Sequence, residues 1–229
     1  MATFDHSDLQ QRIHRKAELN ADYPTAGETD YTVRTGLIND WIHNWEDEDG
    51  MLWNELYAEA SITSTGATSY VLSSTVSNLK FPLGGFIRIL NTSGATVLYY
   101  KLKKPEEVQT LNNTNEYFCY FLGDPQNGYT LYFNSNVPPS SGNTIKFAYY
   151  KKATELSAST DKPEMIAPLY IVHGVISDIY STEDPSESDK NFQIAQQKMR
   201  QMKIRNMQPA WYQQNYVKDR LLNYGGFGK

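Results

Sequence analysis

The chain has 229 residues, of which 40% are hydrophobic and 21% charged, a balance that suits one substantial folded domain or two small ones and not a disordered polypeptide. Its net charge of −5 argues against general nucleic-acid binding through a basic surface. A single cysteine, Cys119, excludes an intrachain disulfide or a cysteine zinc cluster.

No apolar run approaches the roughly 20 residues needed to span a bilayer, and the opening Met1-Ala-Thr-Phe-Asp5 has no apolar secretory core. The expectation is a protein of the reducing cytoplasm with no membrane partner. Seventeen tyrosines add rings with polar tips, suited to half-buried positions in a sheet or against a partner.

Ser7–Leu19 reads as a short amphipathic helix with Leu9, Ile13 and Ala17 about one turn apart. After the breakers around Pro24 and Gly27, Thr29 or Asp30 is placed to cap a longer helix. Val33, Leu37, Ile38, Trp41, Ile42 and Trp45 line one broad face of it. Glu46-Asp-Glu-Asp-Gly50 interrupts the pattern, and Leu52 and Leu56 predict a resumed helix up to Ala60.

From Ser61 to Lys152 the texture is that of strands and tight turns. Strands are predicted at Ala67–Leu72, Phe86–Leu90, Thr96–Leu102, Tyr117–Leu122, Tyr129–Phe133 and Thr144–Tyr150. Asn91-Thr-Ser-Gly-Ala95 and Gly123-Asp-Pro-Gln-Asn-Gly128 read as hairpin connections, and Pro105–Val108 as one helical turn. Short strands repeated in this way point to an antiparallel sheet or small barrel. Cys119, inside Tyr117-Phe-Cys-Tyr-Phe-Leu122, reads as a buried, inert thiol.

Helical character returns after Ser157. Ile166, Leu169, Val172, Ile176 and Ile179 make an apolar helix, with Asp161 or Ala167 as its cap and Pro163 or Pro168 in its first turn. Beyond Thr182–Pro185 comes a helix acidic at its start (Glu187, Asp189) and basic in its second half (Lys198, Arg200, Lys203, Arg205), a polarity that suits the helix dipole. Phe192, Ala195, Met199 and Met202 form its apolar seam. The last segment, Gln208–Lys229, holds Trp211, Tyr212, Tyr216, Leu221, Tyr224 and Phe227, too many aromatic and apolar side chains for idle disorder. It is expected to pack against another subunit or to fold back on its own domain.

Nothing here reads as an active site. Glu46–Asp49 lacks the alternating ligands of a calcium loop and reads as a solvated turn. His6, His14, His43 and His173 are scattered without a zinc-binding spacing, and His173 on its apolar helix reads as a hydrogen-bonded structural residue. There is no nucleophile elbow, and the terminal Gly225-Gly-Phe-Gly-Lys229 lacks the strand and helix of a phosphate loop. No catalytic residue, metal or cofactor is expected. The basic half of the last long helix suits a salt-bridged contact with another protein subunit better than DNA.

The order of elements resembles that of the head-to-tail adaptor (connector) proteins of tailed bacteriophages. Ala67-Thr-Ser-Tyr-Val-Leu72 is similar to the opening strand of that family's β-rich insertion, although Ser73 stands where the family has proline. Thr144-Ile-Lys-Phe-Ala-Tyr-Tyr-Lys-Lys152 is similar to its closing strand, and Leu156–Pro163, ending in Asp-Lys-Pro, to the linker that follows. The resemblance covers most of Ser7–Met207 and leaves the tail beyond it.

It implies an α+β fold: a discontinuous helical bundle, N-terminal helices plus two C-terminal helices, with an inserted antiparallel β-rich domain and an extended C-terminal tail. The segments would be 1–60, 61–152, 153–207 and 208–229. It also implies a virion protein of the neck that is made in the bacterial host cytoplasm. Its copies would form a homo-oligomeric ring, dodecameric to match the portal. The partners would be the portal protein and tail or nozzle proteins, with double-stranded DNA passing through the channel without sequence-specific binding. The interface residues would be Trp211, Tyr212, Tyr216, Leu221, Tyr224 and Phe227, then Arg200 and Arg205. The competing classes are another neck or tail structural protein (stopper, tail completion, tail tube) and a tail-associated cell-wall hydrolase.

Overall fold

A computed structural model describes residues 4–17, 23–108 and 114–207. The chain divides into two compact units, one drawn from the residues before Leu56 and after Ala153, the other from Leu56–Ala153. The class is α+β.

In the first unit, α1 (His6–Lys16) opens with a capping box. Asp5 accepts from the Asp8 backbone at 2.8 Å, and the Asp8 side chain accepts in return from the Asp5 N–H. α2 (Thr29–Glu46) has Glu28, not Thr29 or Asp30, at its cap position. The Glu28 side chain turns back to accept from the Thr25 N–H and hydroxyl, so it orders the preceding turn and leaves the helix end without a side-chain cap. α4 (Leu169–Tyr180) begins after Pro168, so neither Asp161 nor Ala167 caps it. Asp161 instead accepts from the Ser157 and Ala158 N–H groups, which hold its carboxyl below the ordinary carboxylate value and close a turn in the linker. α5 (Pro185–Met207) starts with proline in its first turn, where a missing N–H costs nothing, and Asp184 accepts from the Ser186 and Glu187 N–H groups.

α4 is the centre of this unit, buried from Tyr170 to Ser177, as a helix apolar on every side must be. Gly174 lets α2 approach closely. A Cβ at this position would lie only 2.2–2.5 Å from three carbons of the Trp41 ring. Trp41 is held there by its indole N–H, which donates to Asp178 at 2.6 Å, and by the edge of Tyr170, 5.1 Å between centroids. Trp45 stacks on Trp53, whose indole donates to the Trp45 carbonyl. Leu9 and Ile13 from α1, and Ala195, Met199 and Met202 from α5, complete the core. Val33 and Phe192, predicted to lie on apolar core faces, are 56% and 45% exposed. Arg34 and Asn191 take the adjoining buried positions.

In the second unit eight strands form one sheet. They are β1 (Tyr57–Thr63), β2 (Ser69–Val71), β3 (Leu79–Pro82), β4 (Phe86–Leu90), β5 (Thr96–Leu102), β6 (Phe118–Asp124), β7 (Gly128–Phe133) and β8 (Thr144–Lys151). The order is β1-β8-β4-β5-β6-β7-β2, with β3 also on β8. The helix predicted up to Ala60 is instead a single 3₁₀ turn, Asn54–Leu56, followed by β1. Leu, Glu and Ala there favour helix locally, but pairing along the whole of β8, from Tyr57↔Tyr150 to Thr63↔Thr144, decides the outcome. A strand therefore stands ahead of the predicted opening at Ala67.

The pairings are antiparallel with one exception: β5 and β6 run parallel. The β4–β5 and β6–β7 connections are tight hairpins, as predicted, whereas β5 reaches β6 through a longer crossover that contains the one-turn helix α3 (Pro105–Val108). The sheet curls about a single core. Ala60 of β1 and Tyr70 of β2 share a buried cluster with Ile87, Tyr100, Leu131 and Ile145. Cys119 lies in this core at 0% exposure, and burial pushes its thiol well above the ordinary value.

Candidate interaction surfaces

The buried side of α5 is tightly fastened. The His173 ring sits 2.8 Å from Asn191 Oδ1 through Nδ1 and 3.4 Å from Lys16 Nζ through Nε2. Lysine only donates, so Nε2 accepts and the proton sits on Nδ1, giving a neutral ring. Burial, with Lys16 and Lys198 nearby, lowers its proton affinity against the opposing Asn191 bond. This is the structural histidine expected from the sequence. At the far end Lys203 pairs with Glu48, and Asn206 accepts from the Asn54 N–H and donates to the Leu52 carbonyl. Glu48 thus belongs to an ion pair, and the neighbouring carboxylate Glu46 is buried beside His43.

These fasteners leave the other side of α5 facing outward. Arg200 and Arg205 are exposed, as are Ile204 (61%) and Met207 (69%). An open groove of about 690 Å³ runs along this side, lined among the described residues by Phe192, Gln193, Ile194, Gln196 and Arg200. Two of the expected interface residues are therefore exposed on this helix, although five residues of separation put them on different sides of it. The other six, Trp211, Tyr212, Tyr216, Leu221, Tyr224 and Phe227, lie outside the described residues. Among the described residues no cluster of three metal-ligating side chains occurs, and no helix is long and apolar enough to cross a membrane.

A second surface, missed at the level of sequence, lies on the outer face of the sheet. Glu59 of β1 bridges Arg88 of β4 and Lys146 of β8 at 2.8 and 2.7 Å, and the Lys146 hydrogen bond first among these holds its carboxyl below the ordinary value. On the same face Phe86 (64% exposed) meets Tyr99 (55%) edge to face at 6.3 Å, with Val97 (54%) two residues on. The signal was present in β4 and β5. Both carry apolar side chains at odd and even positions, more than one buried face accommodates.

The family model described as SU10 adaptor protein matches residues 4–218. The chain belongs to this family. The match takes in all of the helical and β elements described here, and it identifies the chain as a structural adaptor protein of a bacteriophage. It also corrects the extent of the resemblance, since it runs beyond Met207 to include Trp211, Tyr212 and Tyr216. No curated protein matches the adaptor sequence.

Proposed function

We propose that this adaptor forms the neck ring that joins the portal to the tail and surrounds part of the DNA channel. The observation that carries the proposal is the adaptor-family match over residues 4–218. The helical units stand side by side as the wall of a dodecameric ring, and the β units face tail or nozzle proteins. Residues 1–55 and 154–207 supply the wall and 56–153 the tail-facing part, and 208–229 acts as an interaction tail. Ring closure makes many modest contacts jointly stable, because each subunit is held by two neighbours.

The exposed side of α5 favours a protein contact at this place. Arg200, Ile204 and Met207 recur at steps of four and three residues and so share one side, a planar cation beside uncovered apolar area, with Arg205 exposed on the flank, the combination of charge and apolar area common in interfaces. The chain then continues into Trp211, Tyr212, Tyr216, Leu221, Tyr224 and Phe227, which anchor the adaptor to the portal or to a neighbouring subunit. Co-purification of the full chain with the portal of the same phage, alongside a chain ending at Met207, tests this. Retention of the full chain and loss of the shortened one is expected. Equal retention of both would remove the tail's role.

A further inference from the structure

The two units differ sharply in charge. Residues 56–153 carry 8 Lys/Arg against 5 Asp/Glu, net +3, whereas residues 1–55 and 154–229 together carry 13 against 21, net −8, an excess that lies wholly in residues 1–55. The basic excess has a focus beside the exposed aromatic pair. Lys101 is the cross-strand partner of Phe86 and lies two residues from Tyr99, so all three share the outer face of the sheet. Lys103 and Lys104 follow, and with Gly84, Gly85 and Glu107 they line an open groove of about 540 Å³. The result is an aromatic centre, Phe86 and Tyr99 with Val97, beside a basic rim.

The first unit carries the complementary surface. On α2, Asp30, Val33, Leu37, Asp40 and Asn44 recur at alternating three- and four-residue steps, which places them on one side of the helix. Asp30, Val33, Asp40 and Asn44 are exposed and Leu37 is half-buried. The stripe has two carboxylates, no Lys or Arg, and an apolar centre at Val33, a large side chain left 56% in water.

We propose that the Phe86–Tyr99 patch with its lysine rim receives the outer face of α2 from a second copy of this chain. The contact is heterologous, one patch meeting a different patch, which is the type of interface that closes into a ring or propagates as a chain. Val33 seats against the aromatic pair, and Asp30 and Asp40 face Lys101, Lys103 and Lys104. Opposite charge selects the neighbour and its orientation, and the apolar centre supplies the lasting contact. The inference rests on the ring reading above and gives it a specific subunit contact.

The test uses the full-length chain carrying G36C and T96C together, which lie one helical turn from Val33 and next to Val97, mixed with the portal and treated with a short bismaleimide. Both sites are exposed and neither is one of the contact residues, and buried Cys119 leaves the unmodified chain as an unreactive control. The expected result is a ladder of covalent multimers, with G36C or T96C alone giving no product beyond a dimer. In a companion measurement, K101E/K103E/K104E loses ring assembly, and adding D30K/D40K to the same chain restores it. Rings seen by microscopy without a ladder would overturn this contact while leaving the ring reading in place. Absence of rings from the unmodified chain would overturn both.

Discussion

Replacing Gly174 by alanine sets two effects of known sign against each other. In the interior of an exposed helix, Gly→Ala stabilises by about 0.8–1 kcal/mol. At position 174 the new methyl group would overlap the Trp41 indole, 2.2 Å from its nearest carbon. That indole cannot easily swing away, because Asp178 holds its N–H at 2.6 Å and Tyr170 packs on it at 5.1 Å. Forcing a methyl group into a filled core costs roughly 1–3 kcal/mol, and loss of the Trp41–Asp178 bond, which has a charged acceptor, adds about 1.5–3 kcal/mol. The net expectation for G174A is destabilisation by about 1.5–5 kcal/mol once the helix gain is subtracted. Gly36 is the internal control, since it lies within α2 with open space where an alanine methyl group would sit. G36A is expected to stabilise by about 0.5–1 kcal/mol. Urea denaturation followed by tryptophan fluorescence reads both. A G174A midpoint equal to or above that of the unmodified protein would refute the close approach of α2 and α4.

Protonation should weaken the helical unit below pH 6.5. Burial is the leading cause that lowers the proton affinity of both His6 and His173 from the ordinary value of 6.5. The unfolded chain therefore binds more protons, and their stabilisation is complete above 6.5 and falls as pH drops through the folded values. Denaturation midpoints between pH 8 and 5 should show this decline, and H173Q should flatten part of it. A second expectation concerns Cys119, which should resist an aromatic disulfide reagent in the native protein and react once urea unfolds the sheet, because burial disfavours its thiolate. Rapid modification without denaturant would contradict the core placement. For Glu59→Gln, loss of the bridge to Arg88 and Lys146 should lower stability by at most about 1 kcal/mol, since all three groups are partly solvated. A larger loss in urea titration would mean that the bridge is not a surface feature.

What the sequence made legible was decided locally. The β4–β5 hairpin could be read because Asn91 carries its own turn chemistry: its side chain accepts from the Ser93 and Ala95 N–H groups. α5 was legible from its acidic start and basic end, although Thr182–Pro185, read as the separator before it, already holds its first residue and the Asp184 side chain that accepts from the first turn. β1 was not, because its helix-favouring residues become a strand only through β8, some 90 residues further on. β3 was hidden by its brevity and by Pro82, which an edge pairing tolerates. The parallel β5–β6 pair follows from a crossover whose path leaves no local mark. On the surfaces, alternation exposed too many apolar residues in β4 and β5 to bury, but which face was left open depended on the curl of the whole sheet. Val33 shows the reverse case: its spacing matched the core face, yet the buried position nearest to it is filled by Arg34.

Cryo-electron microscopy of the full chain mixed with the portal of the same phage bears most directly on the neck-ring function. The expected result is twelve copies in a closed ring beneath the portal, with an open central channel and the β units directed toward the tail side. A bare portal beside unassembled chain, or the chain bound elsewhere in the neck or tail without a ring, would contradict it.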